Sequence, residues 1–331
     1  MIVRIMNVTM NQKMLDAELF RICDSVGDTD DNGHGLPTPI SRFDRIQQLL
    51  KDGAKEIKCG GWTALHKAAL HGHTEICHHL ITVRSWNVNS LGKNNRNVLF
   101  CAAHDGRTET CQMLLKLGAE VNAADNTGWC PLLTAIVYHR PETCDFLLNN
   151  GATFATTKNK ETALHMAARG VHIQGRGPCF CCNVREKDVR TECGIADMTA
   201  TIQVVLQHLS RNPNANINEQ DHFGRTALHS AAMRNHYEAC EILIESGIDA
   251  TLQDKDGNTA LHLAAMYSGK AESVDRSACE FIFKNRKRWI SGNGNNNNKT
   301  SSFEIQDIKN AEGMVPRRSV SGGVCKDWKL K

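Results

Sequence analysis

Aromatic residues are scarce in this chain, 5% of 331 residues, so any place where they gather stands out. Long apolar runs are missing. No window of about 18 apolar residues occurs, which argues against a membrane-spanning helix. The opening "MIVRIMNVTMNQKM" holds an apolar run too short for the core of a secretion signal, with Arg4 inside it. A cytoplasmic, reducing location is therefore expected, and the fourteen cysteines are read as thiols or ligands rather than disulfides. The glycosylation sequons at Asn7 and Asn298 lose their meaning for the same reason. Catalytic signatures are also wanting: there is no H-E-x-x-H, no G-x-S-x-G and no G-x-x-x-x-G-K-[ST]. "GRGPCF" is glycine-rich but has no phosphate-loop lysine. Neither an enzyme nor a cofactor is expected.

Charge is unevenly spread. The formal net charge is +3, yet from Lys284 to Lys331 eleven Lys or Arg stand against four Asp or Glu, so the body is acidic and the tail basic. The tail also contains the low-complexity, Asn-rich "SGNGNNNNKTSS" and is expected to be disordered over residues 286–331.

The body is repetitive. "GWTALHKAALHGHTEI" begins at Gly61, "NVLFCAAHDGRTET" at Asn97 and "GWCPLLTAIVYHRPET" at Gly128. "ETALHMAARG" begins at Glu161, "GRTALHSAAMRNHYEA" at Gly224 and "GNTALHLAAMYSG" at Gly257. The motif leucines Leu65, Leu99, Leu132, Leu164, Leu228 and Leu261 are spaced by 34, 33, 32, 64 and 33 residues. The 64 is one period of about 33 with an insertion in the fourth unit, expected as a loop at about 171–198 and a soft joint. The "TALH" units offer a Thr suited to a helix N-cap and an Ala pair that permits close helix approach, and Gly72 and Gly106 suit a left-handed helix exit. Second helices are expected at 74–81 and 108–117, and "DNTG", "DHFG" and "DKDG" supply hairpin turns.

These residues resemble the ankyrin repeat, whose signature is T-P-L-H-x-A at a period of 33. "TALH" occurs at 63–66, 162–165, 226–229 and 259–262, and G-A-x-V-N is echoed by "GAEVN" at 118–122 and "NANIN" at 214–218. The resemblance implies an all-α solenoid of stacked helix-turn-helix units with short β-hairpin fingers. Six repeats are expected over 58–285. A degenerate capping repeat is expected over 14–57, with helices at 14–26 and 41–57 and a loop between them, after an extension over 1–13. "NVLF" and "CPLL" depart from the pattern: both lack the motif histidine and the Thr cap.

The resemblance also implies a protein-binding adaptor or regulator that takes a partner on a concave surface of fingers and first helices. The surface candidates are Trp62, Arg96, Trp129, Tyr138, Arg225, Arg234 and Tyr267, with Met266 beside the last; Trp, Tyr and Arg are the residue types enriched at interface hot spots. Packing of Trp62 and Trp129 against neighbouring fingers is the competing expectation. The histidines of "TALH" are implied to be structural. Cys77, Cys111, Cys144 and Cys240, each 12 residues after its motif leucine, read as small buried hydrophobes. Cys279 is expected in the same slot.

Three alternatives accompany the adaptor. "KNRKR" at 284–288 is a nuclear address or nucleic-acid patch for a transcription regulator, and the only place nucleic acid is expected to bind. "PCFCC" with its neighbours offers His172, Cys179, Cys181, Cys182 and Cys193 as a metal or redox switch, although C-x-C-C lacks the usual C-x₂₋₄-C pairing and no metal is expected. The third is the regulatory region of a larger ankyrin-bearing enzyme or channel. The chain is expected to be monomeric.

Overall fold

The computed structural model describes residues 2–25, 42–169, 192–213, 215–267, 278, 282 and 309–313, with backbone alone at 2–10 and 192–196. These residues form two compact units that divide between Thr153 and Phe154.

The first unit begins with α1 (Ile2–Asp24) and α2 (Arg42–Lys51). Helix α1 is longer than the expected 14–26, so the supposed extension over 2–13 is helical. Gln12 explains part of this: its side-chain amide donates to Asp16 at 2.7 Å and to the carbonyl of Gly53 at 2.9 Å, which fastens that stretch to the chain after α2. Helix α2 stops at Lys51 rather than near 57 because Gly53 turns left-handed (φ 99°) and releases the chain into an extended segment.

Strands β1 (Lys58–Cys59) and β2 (Trp62–Thr63) then form an antiparallel finger over Gly60 and Gly61, whose positive φ angles suit a tight hairpin turn. Three helix pairs follow: α3 (Ala64–His71) with α4 (Thr74–Thr82), α5 (Val98–His104) with α6 (Thr108–Lys116), and α7 (Pro131–Val137) with α8 (Pro141–Asn149). First helices are buried along nearly their whole length because Leu65, Leu99 and Leu132 face inward and the alanines admit the next layer. The expected exits hold at Gly72 (φ 78°) and Gly106 (φ 71°); His139 (φ 51°) makes the same turn without glycine. Each glycine exit is covered by the next repeat's arginine. Arg107 donates to the Leu70 carbonyl and Arg140 to the His104 carbonyl, both at 3.3 Å.

The second unit contains α9 (Ala163–Arg169), α10 (Glu192–Ser210), α11 (Ala227–Met233), α12 (Tyr237–Glu245) and α13 (Ala260–Tyr267). Helix α10 corrects the expected loop boundary: 192–198 are its first turns, and Met198 and Ile202 are buried against the repeats. The rest of the insertion, 170–191, lies outside the described residues. Ala278 and Ile282 are helical and buried, while Cys279 lies outside the description. A further correction concerns the tail. Residues 309–313 are not loose; they form a turn on the last finger, with Asn310 buried.

The motif histidines stitch consecutive repeats together. In α9, α11 and α13 the backbone N–H groups of Thr162, Thr226 and Thr259 donate to Nδ1 of His165, His229 and His262. Nδ1 is thus an acceptor and the ring proton sits on Nε2. That proton is given to the Arg225 carbonyl by His165 at 2.7 Å and to the Asn258 carbonyl by His229 at 3.0 Å, each in the next finger. His66 does likewise to the Arg96 carbonyl at 3.2 Å. In "NVLF" the missing Thr is replaced by Asn97, whose Oδ1 caps Phe100 N at 2.8 Å while its amide donates to the Glu120 carbonyl at 3.1 Å. In "CPLL" the thiol of Cys130 takes the capping place at 3.5 Å and Pro131 stands at the first helical position.

Candidate functional site

The candidate surface residues lie on fingers or at the ends of first helices, but their side chains are not equally free. In the first unit Trp62 is half-buried. Its ring packs edge-on to His66 at 5.6 Å and against Gly92, where even a methyl group would come within 2.7 Å of it. The competing expectation of packing therefore applies to Trp62. Arg96 is held twice: its guanidinium lies 4.4 Å above the Phe100 ring and its Nε donates to Asp125 at 3.1 Å.

Asp125 organises the next finger. Burial works against its charge, but hydrogen bonds from the Thr127 hydroxyl, the backbone of Trp129 and Thr127, and Arg96 hold its carboxyl below the usual range. Trp129 is half-buried, its amide tied to Asp125 at 3.0 Å. Tyr138 ends α7 with its ring 3.9 Å, centroid to centroid, from His104, which is bound in turn to Asp105 at 2.6 Å.

The second unit is more open. Arg225 sits 5.2 Å from the Phe223 ring and 3.7 Å from Asp254, a longer pairing than that of Arg96 with Asp125. Arg234 is exposed at the end of α11. Tyr267 is 37% exposed, Met266 51% and Phe223 49%. Phe223 was missed by sequence reasoning. The signal lies in its place at the tip of "DHFG", a position that turn chemistry alone does not mark as exposed.

The motif histidines and the repeated cysteines of the second helices are spent on structure, while Cys59 is exposed on the first finger. His66 is fully buried, and burial lowers its imidazole to about 4. Burial likewise lowers His229. Cys77, Cys111, Cys144 and Cys240 are fully buried, and burial raises each thiol well above its ordinary value, to about 12 at Cys111. Such thiols are poor nucleophiles and poor ligands. Among the described residues no group of three His, Cys, Asp or Glu could hold a metal. His172, Cys179, Cys181, Cys182 and the side chain of Cys193 lie outside them, as does "KNRKR". No helix among the described residues is long and apolar enough to cross a membrane.

Comparison with known proteins agrees with this arrangement. The family model described as Ankyrin repeats (3 copies) matches residues 41–125, 77–158 and 198–285, together more than half of the chain. A stretch of 131 residues, 38% of this chain, is 30% identical to the transient receptor potential cation channel subfamily A member 1 homolog of Caenorhabditis elegans and spans 11% of that protein. A stretch of 158 residues, 47% of this chain, is 29% identical to neurogenic locus notch homolog protein 2 of Homo sapiens and spans 5% of it. The chain thus corresponds to a small part of these relatives. Among solved structures, a chain from the complex of the predatory endopeptidase Bd0816 of Bdellovibrio bacteriovorus with immunity protein Bd3460 superposes with a TM-score of 0.50 at 19% identity. It covers 69% of this chain and 99% of that one, a likeness of fold alone.

Proposed function

The chain belongs to the ankyrin-repeat family, a protein–protein interaction fold, and from that premise we propose that it is a non-catalytic adaptor or regulator that holds a protein partner on its fingers and first-helix ends. The observation that carries this reading is the exposure of Phe223, Met266 and Tyr267 in a unit whose other described large apolar side chains are buried or half-buried. Exposed aromatic and Met side chains beside Arg225 and Arg234 have the composition of an interface core. Phe223 stands on a finger and Tyr267 at the far end of an eight-residue helix about 12 Å long, so a partner would engage both ends of the first-helix layer. The catalytic alternative has little to draw on, because the motif histidines and the second-helix thiols described above are held neutral and buried.

The test is capture from native cell extract with wild type and with Phe223→Glu/Tyr267→Glu. Both positions are exposed, so the double variant should keep the far-ultraviolet circular dichroism of the wild type. Proteins retained by wild type and absent from the folded variant are the expected outcome. Identical retained sets would overturn the placement and move the search to Trp129, Tyr138 and the Cys-rich insertion.

The small share of the channel and of the Notch protein that this chain matches favours a second reading, in which the array is the regulatory part of a longer protein. An antibody to the array would decide it: a native polypeptide near the chain's own 36.7 kDa excludes that reading. The same antibody tests the proposed location, cytoplasmic or nuclear, which staining confined to the cell surface would refute.

A further inference from the structure

The inner fingers of the second unit share one hydrogen-bonding scheme. The Asp of each finger closes the turn, and its Oδ1 accepts from the backbone two residues on: Phe223 N to Asp221 at 2.8 Å and Asp256 N to Asp254 at 3.0 Å. The residue after the Asp donates to the preceding finger: His222 N to the Asn159 carbonyl at 2.8 Å, and Lys255 N to the Phe223 carbonyl at 3.0 Å. A glutamine braces the pair, with Gln220 Nε2 reaching its own Gly224 carbonyl and the Gln253 carbonyl of the next finger.

Residues 309–313 repeat the scheme bond for bond. Glu312 N donates to Asn310 Oδ1 at 3.1 Å, and Ala311 N donates to the Asp256 carbonyl at 3.0 Å. Gln253 Nε2 reaches Gly257 O at 2.6 Å and Lys309 O at 3.0 Å. Gly313 ends the turn with φ 75°, as Gly257 (74°) and Gly224 (75°) end theirs. The fit is as close as between inner fingers: a Cβ on Gly257 would come 2.7 Å from Ala311 N, and one on Gly224 would come 3.0 Å from Lys255 N.

One substitution in the scheme is paired. At two inner junctions the residue before the motif Thr, or before its replacement, is an arginine facing the next finger's aspartate: Arg96 with Asp125, Arg225 with Asp254. At the last junction both members change together. Asn258 Oδ1 accepts from Asn310 Nδ2 at 3.1 Å, and both residues are buried.

We propose that residues 309–313 are a seventh finger that returns after the intervening 268–308 and occupies the outer edge of the last repeat. That edge, made of the Gln253 side chain, the Asp256 carbonyl and the Asn258 amide, is a binding site for an Asn- or Asp-x-x-Gly turn, and the chain fills it with its own. Because the turn and the edge belong to one chain, docking is intramolecular and is favoured over capture of the same turn from another molecule. The family match ends at residue 285, so this finger lies beyond it.

Hydrogen exchange on the full chain tests this, read at the Ala311 amide. In the wild type that amide should exchange at least about tenfold more slowly than the same residue in an unstructured peptide, the factor set by one net hydrogen bond. Asn310→Ala should abolish the protection. Asn258→Arg/Asn310→Asp, which installs the charge pair of those two inner junctions, should restore it. Free-peptide exchange at Ala311 in the wild type overturns the proposal, as does unchanged protection in Asn310→Ala. A double variant as unprotected as Asn310→Ala would refute the claim that this pair holds the inner junctions' register.

Discussion

His66 shows how one repeated residue couples packing to solution conditions. Its ring is fully buried, accepts at Nδ1 from the Thr63 hydroxyl at 2.8 Å, and spends its single proton on the Arg96 carbonyl. A second proton would have to displace the Thr63 hydroxyl proton in a buried site. Burial therefore lowers the imidazole to about 4, against about 6.5 in an unfolded chain. The sign follows from linkage: between those values the unfolded state binds more protons than the folded one, so stability rises with pH across that window. Above pH 6.5 both states are neutral and the contribution is flat. Below about pH 4 both are charged and the loss has reached its limit, roughly 3 kcal/mol for this ring. Urea midpoints of the wild type should fall as pH drops from 7 to 4. In His66→Gln the midpoint at pH 7 should be lower, because two hydrogen bonds are lost, but its decline toward pH 4 should be shallower. Parallel pH profiles for the two proteins would contradict this account. The structural role of this residue was legible from the "TALH" recurrence; its tautomer was not, because that depends on which carbonyl of the next finger it meets.

At the scale of elements, helix ends are where the sequence and the structure differ most instructively. A search for Thr at the cap reads "NVLF" as defective, yet Asn is among the strongest N-cap residues, and Asn97 does two jobs. Its oxygen caps α5 and its amide donates to the Glu120 carbonyl in the following repeat. Asn97→Ala should lower stability by about 2 kcal/mol, one for the cap and one for the bond across repeats. Asn97→Thr should keep the cap and lose only the second part, so its urea midpoint should fall between the other two. Equal midpoints for Thr and Ala would mean that the cap contributes nothing here. The same limitation hid the seventh finger. "KNAEGMVP" follows the finger pattern with Asn310 for the usual Asp and Val315 for the usual Thr, and it sits far beyond one period from Leu261. Periodicity finds repeats that are contiguous; it is blind to one that returns after an insertion. The start of α10 at Glu192 was missed for a related reason, since an insertion moves a helix boundary off the grid that would predict it.

For the whole molecule, a repeat chain's stability is close to a sum of unit and nearest-neighbour terms, and about three repeats are needed before the sum is favourable. Residues 1–153 meet that requirement. They contain the α1–α2 pair as one end piece, three complete helix pairs, and hydrogen bonds that run from each repeat to the next. Thr74 pairs with Thr110 and Thr108 with Thr143, both at 2.7 Å, and Asn122 takes the Thr153 amide at 2.9 Å. The family, its period and the inner face of its helices were all legible in the sequence because each is a local pattern repeated several times. The division at Thr153–Phe154 was not, because it reflects how the backbone packs along the array rather than any one motif. A fragment of residues 1–153 should therefore fold alone, with helical circular dichroism and a single urea transition seen alike by circular dichroism and by Trp fluorescence, since Trp62 and Trp86 report on its first complete repeat and Trp129 on its third. Truncation before α8, at residue 137, should leave α7 without its partner helix and bring the midpoint down sharply, because Leu147 and Cys144 are fully buried. An unfolded 1–153 fragment, or equal midpoints for the two lengths, would show that the helix pairs of this unit do not stabilise one another as neighbours.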